Sequence, residues 1–163
     1  MSLRGVLNQI TGELDIQKHP ALLEELRAKN RHAIEIVELA DPDEDFNCVM
    51  FALDLIGSIV PTCSPLGRYY MNTEFMQHLI YKSYVTPISS PEVGALVVYT
   101  RDEKISHVGV VQENGQVRSK WGVGHLYDHD VWEVPVSFGS DIRYFRGMDP
   151  DHAFEVFRAF HER

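Results

Sequence analysis

Apolar residues recur at helical spacing in four stretches and at alternate positions in several others, and the two kinds separate along the chain. Leu22, Leu23 and Leu26 make one stripe between Ala21 and Lys29, behind His19-Pro20, which predicts a helix. Cys48, Ala52, Leu55 and Ile59 make a second, flanked by Val49, Leu53, Ile56 and Val60. They predict a mostly buried helix from Asn47 to Gly57, capped by Asp45 or Asn47. Phe75, Met76, Leu79 and Ile80 predict a third over Thr73 to Lys82, with Thr73 as its cap. Phe154, Phe157 and Phe160 predict a last helix behind Asp149-Pro150. Met1 to His19 is mixed in pattern and reads as an arm or a short helix.

The alternating stretches read as strands. They are residues 33–39, 94–99, 106–111, 116–121, 131–136 and 142–145, with Asn114-Gly115 a hairpin turn between two of them. Loops are expected at 41–45, 61–67, 86–92 and 124–130. The acidic run 41–45 lacks the spacing and glycine of a calcium loop and reads as a solvated turn. A run of helices followed by a meander of antiparallel strands indicates an α+β fold. One domain of 163 residues is expected, with its core over about 33–147.

Composition narrows the partners. A hydrophobic fraction of 44% with 10% aromatics is that of a globular chain. A formal charge of −9 disfavours nucleic acid, whose phosphates need a basic face. The longest apolar run, Cys48 to Cys63, is interrupted by Asp54 and too short to span a bilayer. No secretory signal is visible in the first residues, so a cytoplasmic location is expected, with signal-independent export left open. Two cysteines make neither a disulfide framework nor a zinc site, and no cofactor is implied.

The candidate chemistry lies in Cys48 and His107. Cys48 falls in the first turn of its helix, where unpaired N–H groups and the helix dipole lower a thiol pKa. His107 shares a strand face with Gly109 and Val111, and Gly109 leaves room for close approach. A helix packed on that face would set thiol beside imidazole, the pair needed to attack an amide or ester carbonyl. A third residue would orient the imidazole. A strict two-residue Asn-Gly turn would bring Lys120 to the His107 face, whereas a longer loop would bring Ser119. His129, in the loop 124–130, is the preferred third residue, ahead of His125. The spacing of His125 and His129 does not make a metal site without a helix or a third ligand. The Cys48 backbone N–H, with Asn47 as a further candidate donor, could hold the oxyanion. Trp121, Tyr69, Tyr70 and Trp132 are candidates for a cleft wall.

With Asn47-Cys48-Val49-Met50-Phe51-Ala52-Leu53 as nucleophile helix, Gly94 to Tyr99 as first core strand and Ser106-His107-Val108-Gly109-Val110-Val111 as histidine strand, the chain resembles the NlpC-type and CHAP-type cysteine amidases of the papain-like group. The likeness covers about residues 45 to 145. It implies a papain-like fold, Cys48 as nucleophile, His107 as base and a peptide amide, commonly of bacterial peptidoglycan, as substrate. Related branches transfer acyl groups between lipids or cleave isopeptide bonds. The alternatives for this chain are an acyltransferase on the same scaffold or an inactive relative acting as a binding or regulatory domain. The likeness is weakest at the third residue, where these families place His, Asn, Gln or an acid and this hairpin carries Ser119 and Lys120.

Overall fold

The β-branched run from Leu96 to Val111 folds back on itself at Asp102-Glu103, and this hairpin is the middle of the sheet. Both turn residues have positive φ (50° and 65°), the geometry a two-residue turn needs to match strand twist. The computed structural model describes residues 1–41, 46–56, 71–122 and 124–161. In chain order they form α1 (Leu3–Thr11), α2 (His19–Lys29), β1 (Glu35–Glu38), α3 (Cys48–Ala52), α4 (Thr73–Tyr81) and β2 (Thr86–Ile88). Then come β3 (Leu96–Arg101), β4 (Lys104–Val111), β5 (Val117–Lys120), β6 (Leu126–His129), β7 (Asp141–Arg146) and α5 (Pro150–His161). Short 3₁₀ turns cover Ile16–Lys18 and Val136–Phe138. The strands form one seven-stranded sheet in the order β1-β6-β5-β4-β3-β7-β2, every neighbouring pair antiparallel. The fold is therefore mixed α+β.

Each face of the sheet carries its own core. Leu96, Val98, Val108 and Phe145 point to the side covered by α3, α4 and α5, where Val49, Leu53, Phe75, Leu79 and Phe157 meet them. Ala95, Val97, Tyr99, Val111, Val117 and Tyr127 point to the other side, covered by Leu7 and Ile10 of α1 and Leu23 and Leu26 of α2. The N-terminal stretch is thus no loose arm; α1 closes one core. No helix among the described residues is long and apolar enough to cross a membrane.

Several elements differ from the sequence expectation. The central helix stops at Ala52. Asp54 takes a left-handed conformation (φ 57°), Leu55 N–H bonds the Met50 carbonyl (2.9 Å) and Asp54 N–H the Phe51 carbonyl (3.0 Å). This is a six-to-one helix stop, with an aspartate where glycine is commoner. Residues 131–136 form a turn instead of a strand. Pro135 brings no N–H, and Glu133 turns inward to accept from the N–H groups of Ala33 and Asp130, both at 2.8 Å. The strand lies earlier, in β6, where a loop was expected, and β2 likewise replaces part of the loop 86–92. Asn72, not Thr73, caps α4. Gly57, Ile59, Val60, the turn 61–67 with Cys63, Tyr69, Tyr70 and the acidic residues 42–45 lie outside the described residues.

Candidate active site

Asn47 starts α3 by accepting the Met50 N–H (2.9 Å) on its side-chain oxygen, and its amide nitrogen donates to the Met71 carbonyl. Both ends of this amide therefore serve the backbone. Cys48, the first residue of α3, is half-buried, and it packs against the α3-side core. Burial pushes its thiol up from the ordinary range. The backbone N–H groups of Val108, Val49 and Cys48 itself act in the opposite direction. This reverses the expected sign. A five-residue helix offers little dipole, and loss of water around a thiolate outweighs three N–H groups.

The contact with Val108 fixes the sulfur relative to His107. Pairing between β4 and β5 is confined to Val110↔Arg118 and Val111↔Val117, so the Val108 N–H on that side is left for the thiol. His107 is the preceding residue, yet its ring points to the α1/α2 side, opposite Tyr99 in the register. The expectation that α3 packs on the face of His107, Gly109 and Val111 is corrected here: α3 packs on the face of Val108 and Val110. A bulge at Ser106 separates the pairs Tyr99↔His107 and Thr100↔Ile105, and it sets which residues of β4 face α3.

His107 is buried, with its ring stacked on Phe138 (centroids 4.1 Å apart, planes at 19°) and tilted against Tyr99 (5.5 Å). Its Nε2 has no hydrogen-bond partner, so it does not touch the thiol in this arrangement. Burial first, and the nearby His129 second, hold its ionisation well below the usual imidazole range.

The β4–β5 loop has three residues, Glu113-Asn114-Gly115, closed by Gln112 N–H to Gln116 carbonyl (2.7 Å). Of the two open registers this is the one that turns Ser119 to the His107 face. A Cβ on Gly109 would sit 3.1 Å from the Ser119 Cβ. Lys120 goes to the other side, buried, with its ammonium over the Phe46 ring (4.8 Å) and donating to the Gly124 carbonyl.

Ser119 and His129 meet each other. The Ser119 hydroxyl lies 2.7 Å from His129 Nε2, and His129 Nδ1 lies 2.7 Å from the Asp130 carbonyl. A carbonyl only accepts, so Nδ1 carries the proton and Ser119 donates to Nε2. Trp121 Nε1–H in turn donates to the Ser119 oxygen (3.1 Å). Ser119, His129 and Trp121 are all buried. Burial pushes the His129 pKa down to about 4, against opposing contributions from Asp130 and Asp128. Neither Ser119 nor His129 bonds His107 Nε2.

His125 is committed elsewhere. Its Nδ1 accepts the Ala40 N–H (2.8 Å) and its Nε2 donates to the Ile16 carbonyl (2.9 Å). Among the described residues no three His, Cys, Asp or Glu side chains converge as metal ligands would. Trp132 is partly exposed and lies edge-on to Tyr99 (6.1 Å). A cleft of about 310 Å³ opens at the far end of α3, between Phe51, Asp54, Leu96, Val110 and Pro150. Sequence reasoning missed Phe138 and the Val108 N–H. Gly139 after an aromatic was the one signal of a tight turn there, and a backbone donor leaves no signal. No family model matches the chain, and no curated protein or solved structure matches it either.

Proposed function

We propose that this chain is a papain-like cysteine amidase or peptidase, in which Cys48 attacks the carbonyl carbon of a peptide amide and His107 takes the thiol proton. The observation that carries the reading is the seat of the sulfur. It lies in the first turn of α3 against the Val108 N–H, one residue along β4 from His107.

Burial raises the thiol and lowers the imidazole, so the reaction starts from a neutral pair. The S–C bond forms as the proton passes to the imidazole, and the Cys48 N–H at the helix start holds the oxyanion. The imidazolium returns that proton to the amine as the C–N bond breaks, leaving a thioester. His107 then takes a proton from water as the water oxygen bonds the carbonyl carbon. The C–S bond breaks to release the acid, while the imidazolium returns the proton to the sulfur. The first step requires the ring to cross the edge of β4, which β5 leaves open beyond Val110. Ser119 and His129 form a polar floor on the side the ring leaves, and they orient it only through the packing around Trp121 and Tyr99.

A peptidyl acyloxymethyl ketone tests this, with the modified residue located by peptide mass spectrometry. Cys48 is expected to be alkylated in the native chain and unlabelled in Cys48→Ser. His107→Ala should label on the order of 100-fold more slowly while keeping its circular dichroism. A folded His107→Ala chain that labels at the native rate would leave a binding domain in place of an enzyme.

A further inference from the structure

The imidazole of His107 has a neighbour that the reaction does not use. Phe138 lies flat on the ring, 4.1 Å between centroids. It ends the 3₁₀ turn Val136–Phe138, and that turn is held by three elements. From β4, the Ser106 hydroxyl donates to the Phe138 carbonyl. From α1, Arg4 donates to the carbonyls of Val134 (3.1 Å), Pro135 (3.2 Å) and Gly139, and the Asn8 side-chain oxygen accepts the Ser137 N–H (3.2 Å). From β3, the Thr100 carbonyl comes so near Gly139 that a Cβ there would fall 1.9 Å away, and Gly139 has φ +97°. A phenyl ring carried by so constrained a turn cannot drift from its partner.

We infer that Phe138 is a positioning residue: it clamps the His107 ring on the α1/α2 side of β4, away from water and from the Cys48 sulfur, and so governs how readily that imidazole takes a proton. The inference rests on the reading of Cys48 and His107 given above. The other groups near the ring are Tyr99 from β3 and His129 from β6, while Cys48 of α3 lies on the opposite face of β4. Tyr99 donates its hydroxyl to the Val131 carbonyl (2.5 Å) and burial keeps it neutral, while Arg4 from α1 lies beyond it. None is a carboxylate that could favour the imidazolium, and burial is the leading cause of its suppression. Removing the phenyl ring admits water to one whole face of the imidazole, which favours the charged form.

The test is a pH titration of the imidazole nitrogens in the full chain by NMR with histidine-selective ¹⁵N labelling, the His107 signals being assigned by their loss in His107→Gln. Phe138→Ala should shift the His107 midpoint upward, Phe138→Leu less, and Phe138→Tyr should restore the native titration. Arg4→Met, which loosens the turn from α1, should shift it in the same direction by a smaller amount. Iodoacetamide should alkylate Cys48 at pH 7 about tenfold faster in Phe138→Ala, since each unit of imidazole basicity is worth a factor of ten in the ion pair. Should Phe138→Ala not fold, the Leu and Arg4→Met variants give the same comparison. A His107 midpoint unchanged in every folded variant overturns the clamp and leaves the amidase reading untouched. The converse is also separable. If the midpoint moves but Cys48 alkylation is indifferent to His107→Gln, the clamp stands and the amidase reading falls.

Discussion

The two faces of the sheet are built on different terms. Under α3, α4 and α5 the packed cluster is apolar, with Val49, Leu53, Phe75, Met76, Leu79, Val108, Phe145 and Phe157, and Lys120 is the buried charge at its β5 edge. Under α1 and α2 the aliphatic residues share the space with Tyr99, Trp121, Tyr127, His107, Ser119 and His129, and most of the polar atoms are bonded in chains. On the first face a substitution is felt through volume, because dispersion and water exclusion carry the packing. On the second it is felt through unmet hydrogen bonds and protonation, because a buried polar atom costs energy once its partner is gone. The thiol of the proposed site belongs to the first face and its base to the second.

The largest expected effect breaks the volume-governed face. Phe75 is fully buried in α4, with its ring 5.0 Å from Phe157 and 5.5 Å from Phe160 of α5. Phe75→Ala should destabilise the chain by roughly 3–5 kcal/mol, the range for a phenylalanine cavity. Urea unfolding checks it, and the His107 and His129 signals of the still-folded fraction should stay where they were. A loss under about 1 kcal/mol would mean that this core collapses around the cavity and is not close-packed.

The next effect belongs to the polar face and appears as acid sensitivity. His129 has its pKa lowered from 6.5 to about 4 in the folded chain. A depressed histidine stabilises the fold at high pH, where folded and unfolded chains are both neutral. As pH falls below 6.5 the unfolded chain takes up the proton first, and stability drops until the folded pKa is reached near 4. The loss attributable to this group is about 3 kcal/mol. His107 adds to it in the same direction. Urea midpoints measured from pH 7 to pH 4 should fall steeply in the native chain and less steeply in His129→Gln. Equal slopes in both would show that the Ser119–His129 chain does not hold the imidazole neutral.

What the sequence made legible follows the same division. The hydrocarbon side declared itself, since α4, α5, β3, β4 and β7 all follow patterns that composition alone marks. β6 was hidden because its polar positions look like loop chemistry until their partners are known. His129 is satisfied by Ser119, and Asp128 by Arg118, ten residues away in each case. The length of α3 was overestimated because an aspartate in a left-handed position ends a helix as glycine would, while reading as an ordinary surface residue. For the candidate site, sequence reached the strand but not the face. Val108 and Val110 on one side of β4, and Gly109 and Val111 on the other, are both apolar, so alternation could not say which side α3 would cover. The hairpin register was open for a similar reason: Asn114-Gly115 fits a two-residue and a three-residue loop equally well. Gln112 pairing with Gln116 is what sends Ser119, and not Lys120, to the histidine.

The smallest expected effect sharpens the comparison at the edge of the α3 side. Arg118 and Asp128 are cross-strand partners, bonded through two N–H groups at 2.8 and 2.9 Å. The geometry is as good as an ion pair offers, and Asp128 raises the Arg118 pKa. Both side chains remain partly open to water, Arg118 at 34% exposure and Asp128 at 18%, so solvent screens the attraction. A double-mutant cycle with Arg118→Met and Asp128→Asn should give a coupling below about 1 kcal/mol, shrinking further in 0.5 M salt. That would place two full charges beneath the neutral Ser119–His129 chain in their bearing on stability. A coupling above about 2 kcal/mol that salt does not touch would mean that β5 and β6 are joined by a desolvated charge pair. The division between a face ruled by volume and a face ruled by polar partners would then fail at its boundary.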